Sequence, residues 1–273
     1  MASQEKYLRP SGKPHFWCPG CGNGIALGAL LRAIDKVGFE QRDTVIVSGI
    51  GCSSHGPSFV KFHTVNSLHG RPLPFATGIK FADPDLHVIV FTGDGDTTAI
   101  GANHFIQTCR RNIDITMVVI NNNIYGMTGG QYSPMTPTDA KSTTSVYGHI
   151  ERPFSIPELA SAAGATYVAR GTTYHTRMLE DLIADGLESH GFSVIETISA
   201  CPTNFGRRNN MRSAVDMMNW QRDHAVMMNK AADMTKEEMA DKFIIGKFKD
   251  QQAPEYTDVF RALSDRLTEK EAQ

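Results

Sequence analysis

Four cysteines, two acids and a run of asparagines are the side chains of this sequence best suited to chemistry. Cys18 and Cys21 form a Cys-x-x-Cys pair within "HFWCPGCGNGIAL". Such a pair is either half of a metal site or a whole redox motif. Farther on, Gly93-Asp94-Gly95-Asp96 follows one apolar run and Asn121-Asn122-Asn123 follows the next. Gly93 and Gly95 let a ligand approach the backbone, and the N–H groups that open the next helix favour an anion. Asp94 suits a hard cation, because Mg²⁺ takes one or two protein carboxylates together with neutral oxygens and phosphates. Asn122, 28 residues after Asp94, offers a neutral oxygen, and the Ile124 carbonyl offers another. The set describes a cradle for Mg²⁺ and a diphosphate, spread over one β-α-β unit.

Bringing these residues to one edge requires a sheet. Short β-branched runs alternate with helix-length amphipathic stretches. The pattern predicts helices at 24–37, 75–82, 97–111, 157–163 and 175–187, and strands at 44–50, 87–92, 114–120, 166–170 and 192–199. Near-continuous apolar strands between helices imply an α/β fold, a mostly parallel sheet with helices on both faces. Ligands bind beyond the carboxyl ends of such strands. There the sequence places Gly51, Cys52, Ser53, Ser54 and His55, then the two acids, the asparagines and Cys201. Residues 1–20 read as an irregular arm that starts the cysteine site. Residues 21–205 read as the binding domain, and 206–273 as a tail of helices and loops.

Composition narrows the class. A net charge of −2 over 273 residues argues against a nucleic-acid binder, which needs a Lys/Arg surplus. No apolar run reaches the roughly 18 residues that span a bilayer, and the first residues lack the apolar segment of a secretion signal. Five cysteines, an odd number, point away from a disulfide framework and toward a reducing cytoplasm.

The residues alone leave four readings of the Cys18–Cys21 pair. A thioredoxin-like pair needs a strand before it, and none precedes residue 18. A zinc knuckle needs two further ligands in a second short motif. Structural thiols are the third reading. An iron–sulfur cluster needs four thiolates, and Cys52 and Cys201 stand at strand exits. Cys109, in the middle of a helix, reads as a packed thiol.

Gly-Asp-Gly followed by Asn-Asn matches the thiamine diphosphate signature. Together with "WCPGCGNG", "GIGCSS", "HGRPLPFATGIK", "NNNIYGMTGGQ" and "CPTN", it resembles the β subunit of 2-oxoacid:ferredoxin oxidoreductases over residues 8–205. The resemblance implies a thiamine diphosphate-binding fold of the diphosphate-domain type. It implies a [4Fe–4S] cluster on Cys18, Cys21, Cys52 and Cys201, and Mg²⁺ on Asp94, Asn122 and the Ile124 carbonyl. Gly93, Gly95 and Asp96 would lie along the diphosphate, with Gly51, Ser53, Ser54, Tyr125, Gly126, Met127 and Thr128 around the cofactor.

The implied activity is oxidative decarboxylation of a 2-oxoacid, with acyl transfer to coenzyme A and reduction of ferredoxin. It is reversible and able to fix CO₂. It requires an α subunit to supply the glutamate that faces the aminopyrimidine, in an expected (αβ)₂ assembly. The segment 125–138 most resembles relatives that act on 2-oxoglutarate; pyruvate or another 2-oxoacid is the alternative. Met127 would face the substrate side chain. His55 stands where some relatives carry lysine, and would meet the substrate carboxylate. His69, Arg71 and Asn123 fit either the pocket or its loops. A non-redox thiamine enzyme and a zinc-binding scaffold are the competing classes.

Overall fold

The computed structural model describes residues 2–12, 14–211 and 213–271. Met1, Lys13, Arg212, Ala272 and Gln273, within the expected arm and tail, lie outside them. Eight strands form one sheet: β1 Thr44–Ser48, β2 His63–Asn66, β3 His87–Gly93, β4 Ile115–Asn121, β5 Tyr167–Thr172, β6 Phe192–Ile198, β7 Ala225–Met227 and β8 Phe243–Asp250. Their order is β2-β1-β3-β4-β6-β5-β8-β7. The first six run parallel, as the α/β reading requires.

The side-chain alternation of these strands feeds two cores. Ile46, Ile89, Phe91, Val118 and Ile120 pack on one face with Leu30 and Ile34 of helix Asn23–Val37 and with Leu179 and Ile183 of helix Thr176–Glu188. Val45, Val47, Val88, Val90, Met117 and Val119 pack on the other with Phe105, Ile156 and Ala160. Strands β1, β4 and β6 are buried along their whole length, so their sequences read as near-continuous apolar runs, interrupted in β6 by Glu196.

Three elements differ from expectation. The helix read at 97–111 is two pieces, Asp94–Thr98 and Ala102–Arg111. The chain breaks where a Cβ on Gly101 would lie 2.3 Å from the Asp96 carbonyl. Strand β2 is a short, largely uncovered edge with the sequence HTVN, too polar to announce itself. The tail is more than helices and loops, because β8 pairs antiparallel with β5 and β7 pairs with β8.

A buried chain of bonds runs through this added strand. Arg170 donates to Glu196 Oε2 at 2.6 Å and to the Ile244 carbonyl at 3.3 Å. Asn121 Nδ2 donates to Glu196 Oε1 at 2.7 Å. The tail is thereby tied to the turn that follows β4.

Buried Glu255 docks the last helix, Tyr256–Glu271. It accepts from the Asp114 N–H at 3.0 Å, the Asp258 N–H at 2.9 Å and the Thr257 hydroxyl at 2.5 Å. Glu255→Ala strips these donors of their acceptor. It is expected to lower stability by about 1–3 kcal/mol, read as a lower denaturation midpoint with unchanged cofactor binding. No helix among the described residues is long and apolar enough to cross a membrane.

Candidate functional site

The register places Gly93 beside Ile120 on the adjacent strands β3 and β4. Asp94 and Asn122 therefore leave the sheet at nearly the same level. They are 4% and 8% exposed. Both line a pocket with Ile50, Gly51, Cys52, Ser53, His69, Gly93, Gly95, Asp96, Ile120, Ile124, Tyr125, Gly126, Met127 and Thr128. Ser54, the exception among the expected cofactor residues, sits in the 3₁₀ turn Ser53–Phe59 instead.

Asp94 Oδ2 accepts the Ser133 hydroxyl at 2.7 Å. Burial pushes its carboxyl up to about 7, against the pull of Ser133 and the Gly95 N–H. A bound cation would favour the ionised form and reverse that shift. Asn122 Oδ1 accepts a long bond from the Ile124 N–H at 3.3 Å, which closes a turn and leaves a lone pair for another partner. The Ser53 hydroxyl is buried with no partner and faces Gly93, where an added Cβ would lie 3.2 Å from it. A buried carboxylate, a carboxamide oxygen and an unpaired hydroxyl fit a Mg²⁺-diphosphate. The neighbouring asparagines serve the backbone. Asn121 is held by Glu196, and Asn123 takes a positive φ of 62° with its carbonyl accepting from Thr136.

Asp96 lines the same pocket, and its carboxylate is also engaged by the surrounding chain. Its carboxylate accepts from the Thr92 hydroxyl at 2.6 Å, the Gly70 N–H at 2.6 Å and the Ile50 N–H at 3.4 Å. It also pairs with His69 Nδ1. One buried carboxylate thus ties two loops to the end of β3, and Gly49 is obligatory because a Cβ there would lie 1.9 Å from Asp96 Oδ2. With Nδ1 engaged, His69 keeps Nε2 as its remaining polar atom on the pocket wall. This pairing spans 27 residues, so no local spacing in the sequence signals it. Arg71 is a loop residue that donates to the Gly70 and Ile100 carbonyls, both at 3.2 Å. Gly95 serves packing as well as approach: an added Cβ would lie 2.3 Å from the Tyr125 ring, whose hydroxyl donates to the Gly95 carbonyl at 3.1 Å.

The cysteines converge. Cys18 and Cys21 precede helix Asn23–Val37, Cys52 follows β1 and Cys201 follows β6. All four line one cavity with Phe16, Trp17, His55, Asn122, Gly126, Met127, Pro202, Thr203 and Asn204. Burial pushes Cys21 up to about 12 and Cys52 up to about 11, and the neighbouring cysteines add to both shifts. Metal ligation at such a site must release protons.

Among the described residues, His190, Glu255 and Asp258 are the one trio of potential metal ligands whose atoms all lie within 4.8 Å of one another. Four converging thiols are the donor set that either a zinc ion or an iron–sulfur unit would need. Cys109 lies apart, in the core beside Phe105.

The two cavities share a wall formed by Cys52, Asn122, Gly126 and Met127. At Gly126 an added Cβ would lie 3.4 Å from Cys52 Sγ and 3.6 Å from Cys201 Sγ. Asn204 Nδ2 donates to the Gly126 carbonyl at 2.8 Å. His55 lies on the cysteine cavity and not in the cofactor pocket. Its ring meets Phe16 edge-on at 4.5 Å, and burial lowers its pKa. A neutral imidazole there is poorly suited to bind the substrate carboxylate expected of it.

Comparison with known proteins agrees with this geometry. Residues 49–197 match the thiamine pyrophosphate enzyme C-terminal TPP binding domain. The chain is 49% identical over 262 residues to 2-oxoglutarate synthase subunit KorB of Methanocaldococcus jannaschii, covering 96% of this chain and 97% of that one. It is 57% identical over 202 residues to the KorB subunit of Archaeoglobus fulgidus, covering 74% and 75% of the two chains. Among solved structures it resembles a 2-oxoglutarate:ferredoxin oxidoreductase from Magnetococcus marinus with 2-oxoglutarate, coenzyme A and succinyl-CoA bound. The TM-score is 0.87 at 31% identity, over 97% of this chain and 91% of that one.

Proposed function

The chain belongs to the β subunits of the 2-oxoacid:ferredoxin oxidoreductases, among the thiamine pyrophosphate enzymes, and we propose that with an α subunit it converts 2-oxoglutarate and coenzyme A to succinyl-CoA and CO₂. A [4Fe–4S] cluster held by its four converging cysteines would supply a one-electron route from the reaction to ferredoxin. A strong reductant drives the reaction backwards and fixes CO₂.

Asp94, Asn122 and the Ile124 carbonyl hold Mg²⁺, and the Ser53 hydroxyl meets the diphosphate. Thiamine diphosphate, when bound, supplies the electron sink for loss of CO₂, and the cluster supplies a one-electron acceptor. This chain's own residues do the positioning. Asp96 orients His69 on the pocket wall, and Tyr125 packs onto Gly95 and fixes the loop between the two centres. Met127 offers the substrate an apolar surface. Cys18, Cys21, Cys52 and Cys201 hold the cluster. The observation that carries this reading is the shared wall: a decarboxylation pocket that touches a four-cysteine cavity is arranged for electron transfer.

The cofactor pocket is open on one side, with Ile50 46% and Met127 45% exposed. The α subunit closes that side, and two αβ pairs form the (αβ)₂ assembly. All five cysteines are free, which suits a cytoplasmic enzyme.

The test is anaerobic co-purification with the α subunit, followed by assays with coenzyme A and viologen. The kcat/KM for 2-oxoglutarate is expected to exceed that for pyruvate at least about tenfold. A preference for pyruvate would overturn the substrate, and CO₂ release without reduction of the acceptor would overturn the redox role.

A further inference from the structure

Acidic residues are missing from the part of the chain that surrounds the cysteines. Residues 6–34, 44–82 and 197–215 contain no Asp or Glu, in a chain with 29 acids and a net charge of −2. They carry ten Lys and Arg residues, and each segment contributes at least one of the four converging cysteines.

Two of these cations, Arg9 and Lys61, come from segments that meet beside Phe59, behind an exposed aromatic edge. Cys18 is exposed, and its neighbour Phe16 is 63% exposed. The Phe16 ring packs on Phe59 at 5.0 Å, and Phe59 packs on Trp17 at 4.8 Å. The Trp17 indole donates to the Cys52 carbonyl at 2.6 Å. Arg9 and Lys61 flank Phe59: the Arg9 N–H donates to the Phe59 carbonyl, and the Lys61 N–H to the Tyr7 carbonyl, both at 2.8 Å. Beyond Cys201, the turn Pro202–Gly206 delivers Arg207, exposed, and Arg208, which donates to Asn204. Among the described residues no carboxylate pairs with Arg9, Lys61, Arg207 or Arg208.

We propose that this face, centred on Phe16 and Cys18 and flanked by Lys61 and Arg207, is the docking surface for a small acidic one-electron carrier protein. The proposal rests on the cluster reading above and adds where, and by what forces, the electron leaves. A positive rim steers a negative partner and fixes its approach, while a bare aromatic centre excludes water from the contact. One electron passes from the reduced cluster to the oxidised carrier; no bond forms or breaks and no proton moves.

The test uses the αβ holoenzyme with Lys61→Glu, Arg207→Glu and the double variant, turning over 2-oxoglutarate with two acceptors. With an acidic [4Fe–4S] ferredoxin, the double variant should raise the acceptor KM by about tenfold or more and flatten its salt dependence. With methyl viologen, which needs no docking surface, turnover should stay within about twofold, with iron content and visible absorbance unchanged. An unchanged ferredoxin KM in an enzyme active with viologen overturns the docking surface alone. Equal losses with both acceptors, or failure of the α subunit to co-purify, would also overturn it, the latter because the face would then be a subunit interface. A wild-type enzyme that reduces neither acceptor overturns the proposal together with the functional reading beneath it.

Discussion

Asp94→Asn is expected to lower turnover of the assembled enzyme at least about a thousandfold by losing Mg²⁺ and with it the diphosphate, while its iron content stays at the wild-type level. The same substitution should leave the cofactor-free protein no less stable. Burial raises the Asp94 carboxyl to about 7, above its value in an unfolded chain. The ionised form therefore opposes folding, and the penalty grows as pH rises from about 4 to about 7 and is constant above. At pH 8 the neutral amide removes a cost on the order of a few kcal/mol and keeps an acceptor for Ser133. Thermal denaturation at pH 8 checks both halves. Without cofactor the variant should melt at or above the wild type, and Mg²⁺ with thiamine diphosphate should raise the midpoint of the wild type only. An unchanged thiamine affinity in the variant would remove Asp94 from the metal site.

Cys52→Ala and Cys109→Ala should part company completely. Cys52 comes off the end of β1 into the shared wall and faces Gly126 together with Cys201. Removing it would take away one of the four proposed cluster ligands, and iron in the anaerobically purified protein should fall well below about four per chain. Cys109 is fully buried in the opposite core. Its loss opens a small apolar cavity that costs about 1–2 kcal/mol and leaves iron and sulfide unchanged. Equal iron loss in both variants would contradict the ligand set. The contrast is large because the two thiols differ in surroundings and not in burial alone: one lines a cavity shared with three other sulfurs, the other is packed in the core away from them.

How far the sequence discloses this molecule depends on the range of each interaction. Strands such as β1 and β4 are buried on both faces, so their composition alone identifies them. Asp94 and Asn122 follow adjacent strands, and a parallel sheet must bring such positions together. The four cysteines lie at strand exits or just before a helix, and topology again suffices. Asp96 is different. Its partners Ile50, His69 and Gly70 come from loops whose course no periodicity specifies, so a carboxylate that organises backbone looks in sequence like one that faces a ligand. His55 is displaced from its expected role because its turn points toward Phe16, and that contact depends on how an irregular arm lies across the fold. Strand β8 is hidden for another reason: it joins the sheet antiparallel after a long excursion, and half of its side chains stay partly exposed, so its apolar pattern is weak.

The bond from Arg170 to the Ile244 carbonyl also bears on the order in which the molecule is built. A chain emerging from the ribosome forms β3, β4 and β6 early, yet Arg170, committed to Glu196 and through it to Asn121, meets its last acceptor only when β8 has been made. Domains tend to fold as they are synthesised, but here the buried Arg170–Glu196 pair stays one bond short until the chain has reached residue 244.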